Sequence, residues 1–530
     1  MLHFKNSKNK TMLKILQKSS FLILLVLALS ACTEEFLDRQ PLDQRVESNF
    51  YQTQADAQEA LIAVYDVLGL NTVVGFHPTQ MFADIASDDS FAGGASRNDA
   101  PNIIEVDKHN IRTTNGEILG LWKKYYTGIY RANLYLEKIE GIKAEQDFID
   151  RTVAEVKFIR AFYYFDLLKC FENVPLLTQT LKSQSEYTQP QATPEQIYNQ
   201  IATDLVEAIP NLPEVIPQSE NGRVSKWAAK ALLGRVYLYV NGVYGADPQG
   251  GGKTINRAEA LAELEDVINN SGHDLLPDFA ANFARAGEFS EESVFEISYS
   301  DARPWYDWGY IQGGEGNIAI QMQGPRVDDP GQEAYDRGWS FAPVTQDLYN
   351  AFEDGDPRRD ATILHEDEIN GGLTIGYQHT GYFSKKYTTV KEYAPSDGQP
   401  ELNWGNNYRV IRFSDVLLMA AELGSPNAQD YLDRVRARVG LPSVPATMEN
   451  IMRERRLELA LEGIRYWDLL RQGVNVAESE ISISGEVGPL YQGDAQEFDV
   501  NFNPVRRGLF PIPQTEVDIS NGLYKQNAGY

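Results

Sequence analysis

Apolar residues recur at i, i+3, i+4, i+7 and i+10 in five separate stretches of this chain, and that spacing constrains its fold more than any other feature. The pattern occurs at Ala57, Ala60, Leu61, Val64 and Val67, and again at Phe158, Ala161, Phe162, Phe165 and Leu168. It returns at Ala229, Leu232, Leu233, Val236 and Tyr239, at Phe413, Val416, Leu417, Ala420 and Leu423, and at Leu457, Ala460, Leu461, Ile464 and Trp467. On a helix of 3.6 residues per turn these positions share one face, so each stretch predicts an amphipathic helix that must bury that face against a neighbour. Further helices are predicted at about 117–139, 194–208, 256–269 and 427–438. One of them opens with Thr193-Pro194-Glu195, a capping residue ahead of a proline at the first helical position. Helix pairs dominate both ends of the chain. No strict repeat period accompanies them, which points to an irregular tetratricopeptide-like stack rather than a regular solenoid.

The middle of the chain obeys a different rule. From about 270 to 408 it is rich in Gly, Pro, Asp and Tyr, with strand-like pieces at Ser293–Ser300 and Thr374–Phe383 and little helical period. A shorter loop region runs from Gly69 to Asn115. Long irregular segments inside a compact domain are usually functional or disordered, and the aromatic content here argues for function. Trp122, Trp227 and Trp467 sit among apolar helical neighbours and are expected in the core, whereas Trp305, Trp308 and Trp339 crowd into the irregular part. The densest run is Arg303-Pro-Trp-Tyr-Asp-Trp-Gly-Tyr310. In an extended conformation Tyr306, Trp308 and Tyr310 would share one face, with Trp305 and Asp307 on the other. Flat rings of this kind stack on the apolar C–H face of a sugar, while Asp301, Arg303, Asp307 and Gln312 could take its hydroxyls. The competing reading is that the rings cover the junction between the loop-rich part and the helices.

The first residues predict where the protein works. Met1–Lys18 carries five lysines and no acid, Phe21–Leu29 is uninterruptedly apolar, and Leu29-Ser30-Ala31-Cys32 follows. These are the zones of a secretory signal, with an apolar run too short for a transmembrane helix, which needs about 20 residues. A cysteine directly after small residues resembles the lipobox of bacterial lipoproteins, so residues 1–31 are expected to be removed and Cys32 to carry lipid. Cys170 is then without a partner, and its apolar surroundings predict a buried, inert thiol. Against 48 basic residues stand 75 acidic ones, a net charge of −27 that excludes nucleic acid as a partner.

Catalytic and metal-binding patterns are thin. Glu458 and Glu462 are four residues apart, with Arg455 and Arg465 each three residues away. As an enzyme pair they would be the acid and nucleophile of a glycosidase. As structural groups they are carboxylates neutralised by flanking arginines beside an apolar stripe, and that reading is preferred because the arginines would hold both acids ionised. The six histidines show no paired ligand spacing, and neither a nucleophile elbow nor a phosphate loop is present. No catalytic residue, cofactor or metal is therefore assigned.

Several stretches together resemble the SusD/RagB family. They are Phe158–Leu177 (FIRAFYYFDLLKCFENVPLL), Val224–Tyr239, Phe352–Leu364 (FEDGDPRRDATIL), Arg412–Gly424, Leu432–Pro442, Glu454–Gly473 (ERRLELALEGIRYWDLLRQG) and Leu509–Tyr530, in the family's order and across nearly the whole of residues 32–530. The resemblance implies a mainly α fold in which tetratricopeptide-like helix pairs form a right-handed superhelical scaffold, overlaid by an irregular, loop-rich half with a few short strands. On this division the scaffold covers about 50–270 and 409–475, and the ligand-facing part about 70–115 and 271–408, within one domain. It further implies a non-catalytic surface lipoprotein of Bacteroidota-type bacteria, anchored in the outer membrane through Cys32, with Glu34-Glu35 resembling an export signal to the outer leaflet. Such proteins bind a glycan, or in some members a peptide, and deliver it to a SusC-like TonB-dependent transporter barrel. A surface glycoside hydrolase is the remaining alternative. In starch-binding relatives an early loop joins the irregular half at the ligand, which here nominates Asp88, Asp89, Phe91, Arg97 and Asn98 beside Arg303, Trp305, Tyr306, Asp307, Trp308, Tyr310 and Trp339.

Overall fold

The structure, a computed structural model, describes residues 50–328, 333–484, 487–491 and 494–530. The expected signal segment and Cys32 lie outside the described residues.

Four of the five periodic stretches fold as helices that bury most of the face their spacing marks, whereas the fifth, from Leu457 to Trp467, is divided between two helices. Gln54–Gly69 turns Ala57, Ala60, Leu61, Val64 and Val67 inward, and Lys226–Tyr244 buries Ala229, Leu232, Leu233, Val236 and Tyr239. The remaining long helices of the first half are Gly116–Ile139, Pro194–Ala208 and Arg257–Asn270, within a residue or so of the sequence expectation, and Gln146–Phe171, which begins well before the periodic stretch that starts at Phe158. Their starts are fixed chemically. Thr53 and Thr193 each close a capping box, and the Asn115 and Asn256 side chains accept N–H bonds from the first turns that follow them. Consecutive helices pack on one another: Gly116–Ile139 on Gln146–Phe171, that helix on Pro194–Ala208, Lys226–Tyr244 on Arg257–Asn270, and Phe413–Glu422 on Ala428–Arg438. The result is a mainly helical, tetratricopeptide-like scaffold with one large apolar core. Trp122, Trp227 and Trp467 lie in that core, and so does Cys170, whose thiol burial pushes well above its ordinary pKa.

Among the described residues the strands form four two-stranded antiparallel pairs. Ser293–Ile297 pairs with Tyr408–Arg412 and carries the chain from the irregular middle back to the helices. Thr374–Phe383, expected to be strand-like, is strand only at its end, where Tyr382–Ser384 pairs with Ile363–His365. Its earlier residues bond elsewhere: the Tyr377 N–H donates to the Gly94 carbonyl, and Gln378 accepts from the Gly93 N–H. Two short helices, Thr79–Ile85 and Pro101–Asp107, stand in the region expected to be loop. Thr79–Ile85 is buried from Gln80 to Ile85, so it has no polar face for a periodic pattern to reveal.

The charged motif near the C-terminus is two helices, not one. Met448–Glu458 ends, Leu461 and Gly463 take φ of 60° and 73°, and Arg465–Gln472 begins anew. A Cβ at Gly463 would stand 2.6 Å from Gln80 Cα, so both the conformation and the close approach of Thr79–Ile85 require glycine there. Breaking the helix removes Glu458 and Glu462 from a common helical face and turns both into the interior. Their partners are also different from the flanking arginines. Arg412 bonds Glu292 at 2.6 Å and both Glu458 and Glu462 at 2.8 Å. Arg438 and Arg358 also reach Glu458, and Lys386 reaches Glu462 at 2.7 Å. Arg455 instead joins Asp415 and Asp468, and Arg465 joins Asp88 and Glu480. The structural role of the two glutamates stands, with different partners.

Burial opposes ionisation at Glu458, but Arg438, Arg412 and Arg358 outweigh it and hold the carboxyl far below the ordinary range. Phe279 and Phe283 cover the network, with Lys386 Nζ 4.5 Å and the Arg412 guanidinium 5.5 Å from the Phe283 ring centre. Removing one member leaves the others charged in a dry interior. Arg412→Met is therefore expected to lower unfolding free energy by about 3–5 kcal/mol, read as a shift of the urea midpoint at unchanged slope. Acid provides a second check. Burial raises the Asp468 pKa, but Arg455 and Arg471 more than compensate and bring it from 3.8 to about 2. Its contribution is present above the unfolded value and is lost as pH falls through about 2. Between pH 5 and 2 the native protein should lose about 2 kcal/mol more stability than Asp468→Asn does; equal losses would show that this carboxylate is not pH-linked to folding.

Candidate functional site

Three segments converge on one face of the irregular half: the loop Asn71–His77, the aromatic run 303–312, and the stretch that follows Trp339. Gln312 donates through Nε2 to the Val73 carbonyl at 2.9 Å, and Thr72 Oγ1 donates to the Ile311 carbonyl at 3.4 Å, joining the first two. His77 folds the loop by accepting the Val73 N–H at Nε2, 3.0 Å away. Burial, aided by Lys124, lowers its pKa to about 3, so the imidazole stays neutral and keeps that lone pair available.

The aromatic run is not extended. Asp307 caps a turn from Trp308 to Gly313 by accepting the Gly309 N–H at 2.7 Å, and Tyr310 kinks it with φ −135° and ψ 67°. Tyr306, Trp308 and Tyr310 therefore do not line one strand face. Instead the two tryptophans separate in role. Trp305 is half-buried, donating its indole N–H to the Asp307 and Tyr310 carbonyls at 3.1 and 3.0 Å while its backbone N–H is held by Asn403. It packs beside Tyr310, with ring centres 6.1 Å apart, and stiffens the turn from inside. Trp308 is 41% exposed and stacks alongside Trp339 at 6.4 Å and 29°, and Phe76 meets Trp339 edge-on at 5.3 Å. Tyr306 is exposed beside them, its hydroxyl near the Asp397 carboxylate. Arg303 and Asp307 are exposed at the rim.

Below Trp339 opens a cleft of about 400 Å³ whose lining includes Phe76, Asn102, Glu117, Arg326, Met322 and Phe341. Arg326 is steered there by donating Nη1 to the Trp339 carbonyl at 3.2 Å. Glu117 stands in the first turn of Gly116–Ile139, and its buried Oε2 has no hydrogen-bond partner. Burial pushes its carboxyl up to about 7. A Cβ at Gly75 would fall 2.4 Å from that Oε2, so the loop passes directly over the carboxyl. The cleft thus offers two aromatic walls, a guanidinium, an amide and a carboxyl near its neutral point, a set suited to holding a polyhydroxylated ring.

The early-loop candidates divide. Asp88 and Asp89 are buried and held by arginines: Arg465 grips Asp88 at 2.7 Å, and Arg456 reaches Asp88 and Asp89 at 3.0 Å each. Phe91 is buried against Phe498. These three belong to the support, because their backbone pairs with the segment after Trp339: Phe91 N–H to the Pro343 carbonyl, Ala342 N–H to Ala92, and Thr345 N–H to Asp89. Arg97 and Asn98 are exposed at the loop tip, Arg97 paired with Glu497 at 3.2 Å, one residue from the cleft-lining Asp99. Phe76, Asn102, Glu117 and Arg326 carry no motif. Their common signal is only the turn-rich composition on either side of them, which marks a loop without saying which residue faces the ligand. Among the described residues no three His, Cys, Asp or Glu side chains are grouped so as to hold a metal ion, and no helix is long and apolar enough to cross a membrane.

Comparison with known proteins adds an independent line. Residues 291–530 match the sequence model described as the SusD family, and residues 35–238 match one described as starch-binding associating with outer membrane. A laminarin-binding SusD-like protein of known structure is 35% identical with a TM-score of 0.78, spanning 91% of this chain and all of that one. Surface glycan-binding protein A from Bacteroides thetaiotaomicron, solved with laminarihexaose, is 30% identical with a TM-score of 0.79 over 90% of this chain and all of that one. SusD-like protein P25 of Formosa agariphila is 26% identical over 502 residues, 85% of this chain and 89% of the relative.

Proposed function

Because this chain belongs to the SusD/RagB family, we propose that it is a surface protein that captures a glycan without converting it, holds it on Trp308 and Trp339, and passes it to a TonB-dependent transporter. The observation that carries this reading is the Trp308–Trp339 pair: two large rings, one of them 41% exposed, backed by Phe76 at the mouth of a polar-lined cleft. Exposed tryptophan costs solubility and is retained where a ligand covers it. Relatives of known structure described as binding laminarin or laminarihexaose make a β-linked glucan the favoured ligand class. A neutral polymer also suits a chain of net charge −27, which would repel anionic ligands.

Capture without conversion is supported by the state of two buried acid pairs, Glu458 with Glu462 and Asp88 with Asp89. Glu458 and Glu462 are both occupied by Arg412, and Asp88 and Asp89 by Arg456, so none of the four is placed as a proton donor to a ligand. Glu117 is neutral enough to donate, yet a glycosidase needs a second carboxylate across the bond, and the cleft's other acid, Asp99, accepts the Ala95 N–H at the loop tip.

Titration calorimetry against laminarin, laminarihexaose, starch and a peptide mixture, with chromatography of the same samples, tests this. The expected result is binding of the β-glucan with no new products; peptide binding, or release of smaller sugars, would sink the proposal. Trp308→Ala should weaken glucan binding by about 1–3 kcal/mol, about 5- to 150-fold in Kd, with an unchanged circular dichroism spectrum. For the anchor, Cys32→Ala is expected to move the protein from the membrane to the soluble fraction, and continued tight membrane association would rule out lipid at that cysteine.

A further inference from the structure

Among the described residues, the aromatic side chains that are exposed are Tyr130, Tyr187, Tyr306, Trp308 and Tyr310. Three belong to the segment already described. The other two, 53% and 63% exposed, come from distant parts of the sequence and line a single separate cleft of about 480 Å³. The convergence of two such rings on one cleft calls for an explanation, because a monomer's surface places isolated aromatics at random and covers the rest.

The floor of this cleft is built and fixed. Trp122, Tyr126 and Tyr524 form it, with ring centres 4.9 Å apart for Trp122 and Tyr126 and 6.4 Å apart for Trp122 and Tyr524. Tyr126 is locked by donating its hydroxyl to the Pro175 carbonyl at 2.8 Å, and Trp122 is buried and meets Phe171 edge-on at 5.2 Å. Rings held in this way lose little freedom when a ligand arrives. Lys123, Gln189 and Glu516 supply a cation, an amide and a carboxyl around the aromatic floor. A mixed polar fringe around hydroxylated rings fits a neutral, polyhydroxylated chain better than an anion, which Glu516 would repel, or an apolar helix, which would bury the polar fringe unpaired.

The cleft is also joined to the Trp308 site. Val73 lines it, and the same residue's carbonyl accepts from Gln312 of the aromatic run. Phe76, which packs on Trp339, follows three residues later, a span of at most about 10 Å.

We infer that this cleft is a second carbohydrate subsite, which binds a distal part of the same glucan chain that covers Trp308 and Trp339. The inference rests on the glycan-capture reading. Two linked contacts raise affinity for a chain long enough to reach both, because the second contact forms at a high effective concentration once the first is made. The double variant Tyr130→Ala/Tyr187→Ala removes the rims and leaves the buried floor and the Trp308 site intact.

Calorimetry with polymeric laminarin and with laminarihexaose, on the native protein and this variant, provides the test. The ratio of polymer to hexasaccharide affinity should fall about ten-fold in the double variant, while Tyr130→Phe/Tyr187→Phe, which keeps the rings, should retain most of it. Circular dichroism should be unaltered throughout. An unchanged ratio, whether because both affinities hold or because both fall together, overturns the second subsite and leaves the capture reading standing. A native protein that binds neither sugar overturns the capture reading itself and the inference with it.

Discussion

The structure depends on a group of buried charges more than on any apolar contact. Arg412 sits at the end of the strand Tyr408–Arg412 and holds Glu292, Glu458 and Glu462, all four almost without solvent exposure. Glu292 and Lys386 come from the irregular middle of the chain, Arg358 from a short helix within it, Glu454 and Glu458 from the helix Met448–Glu458, and Glu462 from the break that follows it. An apolar patch of the same area would bind the two halves at least as strongly, since desolvating these ions costs nearly as much as their attraction returns. What an apolar patch lacks is direction. Each guanidinium donates to its carboxylates at fixed angles, and any slip of the irregular half leaves a buried charge unpaired. The network therefore acts as a set of pins that hold a loop-rich layer in one register on a helical scaffold.

Those pins reach the candidate site through a short chain of contacts. Arg456 and Arg465 leave the same C-terminal helices to hold Asp88 and Asp89. The backbone that follows those aspartates pairs with the segment after Trp339, with bridges at Ser90–Val344 and Gly93–Phe341. Trp339 then sets the position of Trp308 and Phe76. Loops would otherwise present aromatic rings in many orientations, and ordering them on binding would consume affinity. Here the ordering is completed on folding, by ion pairs that no ligand touches.

The long helices were legible because one face of each is apolar and the rest is not, so Ala57 to Val67 or Phe413 to Leu423 announces a helix from spacing alone. The helix Thr79–Ile85 was not, since burial on all sides erases the contrast. Glu458 and Glu462 show the same limit for charge. Spacing suggested that neighbouring arginines neutralise them, and the chemistry was right, but the cations that do so are 46 to 100 residues away in sequence for Arg412 and Arg358. Sequence adjacency sees Arg455 and Arg465, and only the fold brings in the others. The aromatic run divides along a similar line: composition marks the segment, yet whether a ring is a plug, as Trp305 is, or open to solvent, as Trp308 is, depends on where its indole N–H finds an acceptor.

A protein that captures a polymer and must then surrender it faces opposing demands on affinity. One deep pocket that buried most of a sugar chain would release slowly, because the dissociation rate carries most of any gain in affinity. Shallow aromatic surfaces avoid this when several act on one chain: each contact breaks quickly, while the chain stays bound as long as another holds. The exposed rings here are distributed in that manner, Trp308 and its neighbours in one place and Tyr130 with Tyr187 in another, connected through Val73 and Gln312. The rigid supports beneath them, Trp305 with its two carbonyl acceptors and Tyr126 with the Pro175 carbonyl, put the ordering cost into folding, so affinity can be modest per site and still selective. On this physical basis a stiff scaffold and weak, separated contacts are complementary requirements, and the buried arginine network is what allows a loop-rich surface to meet both.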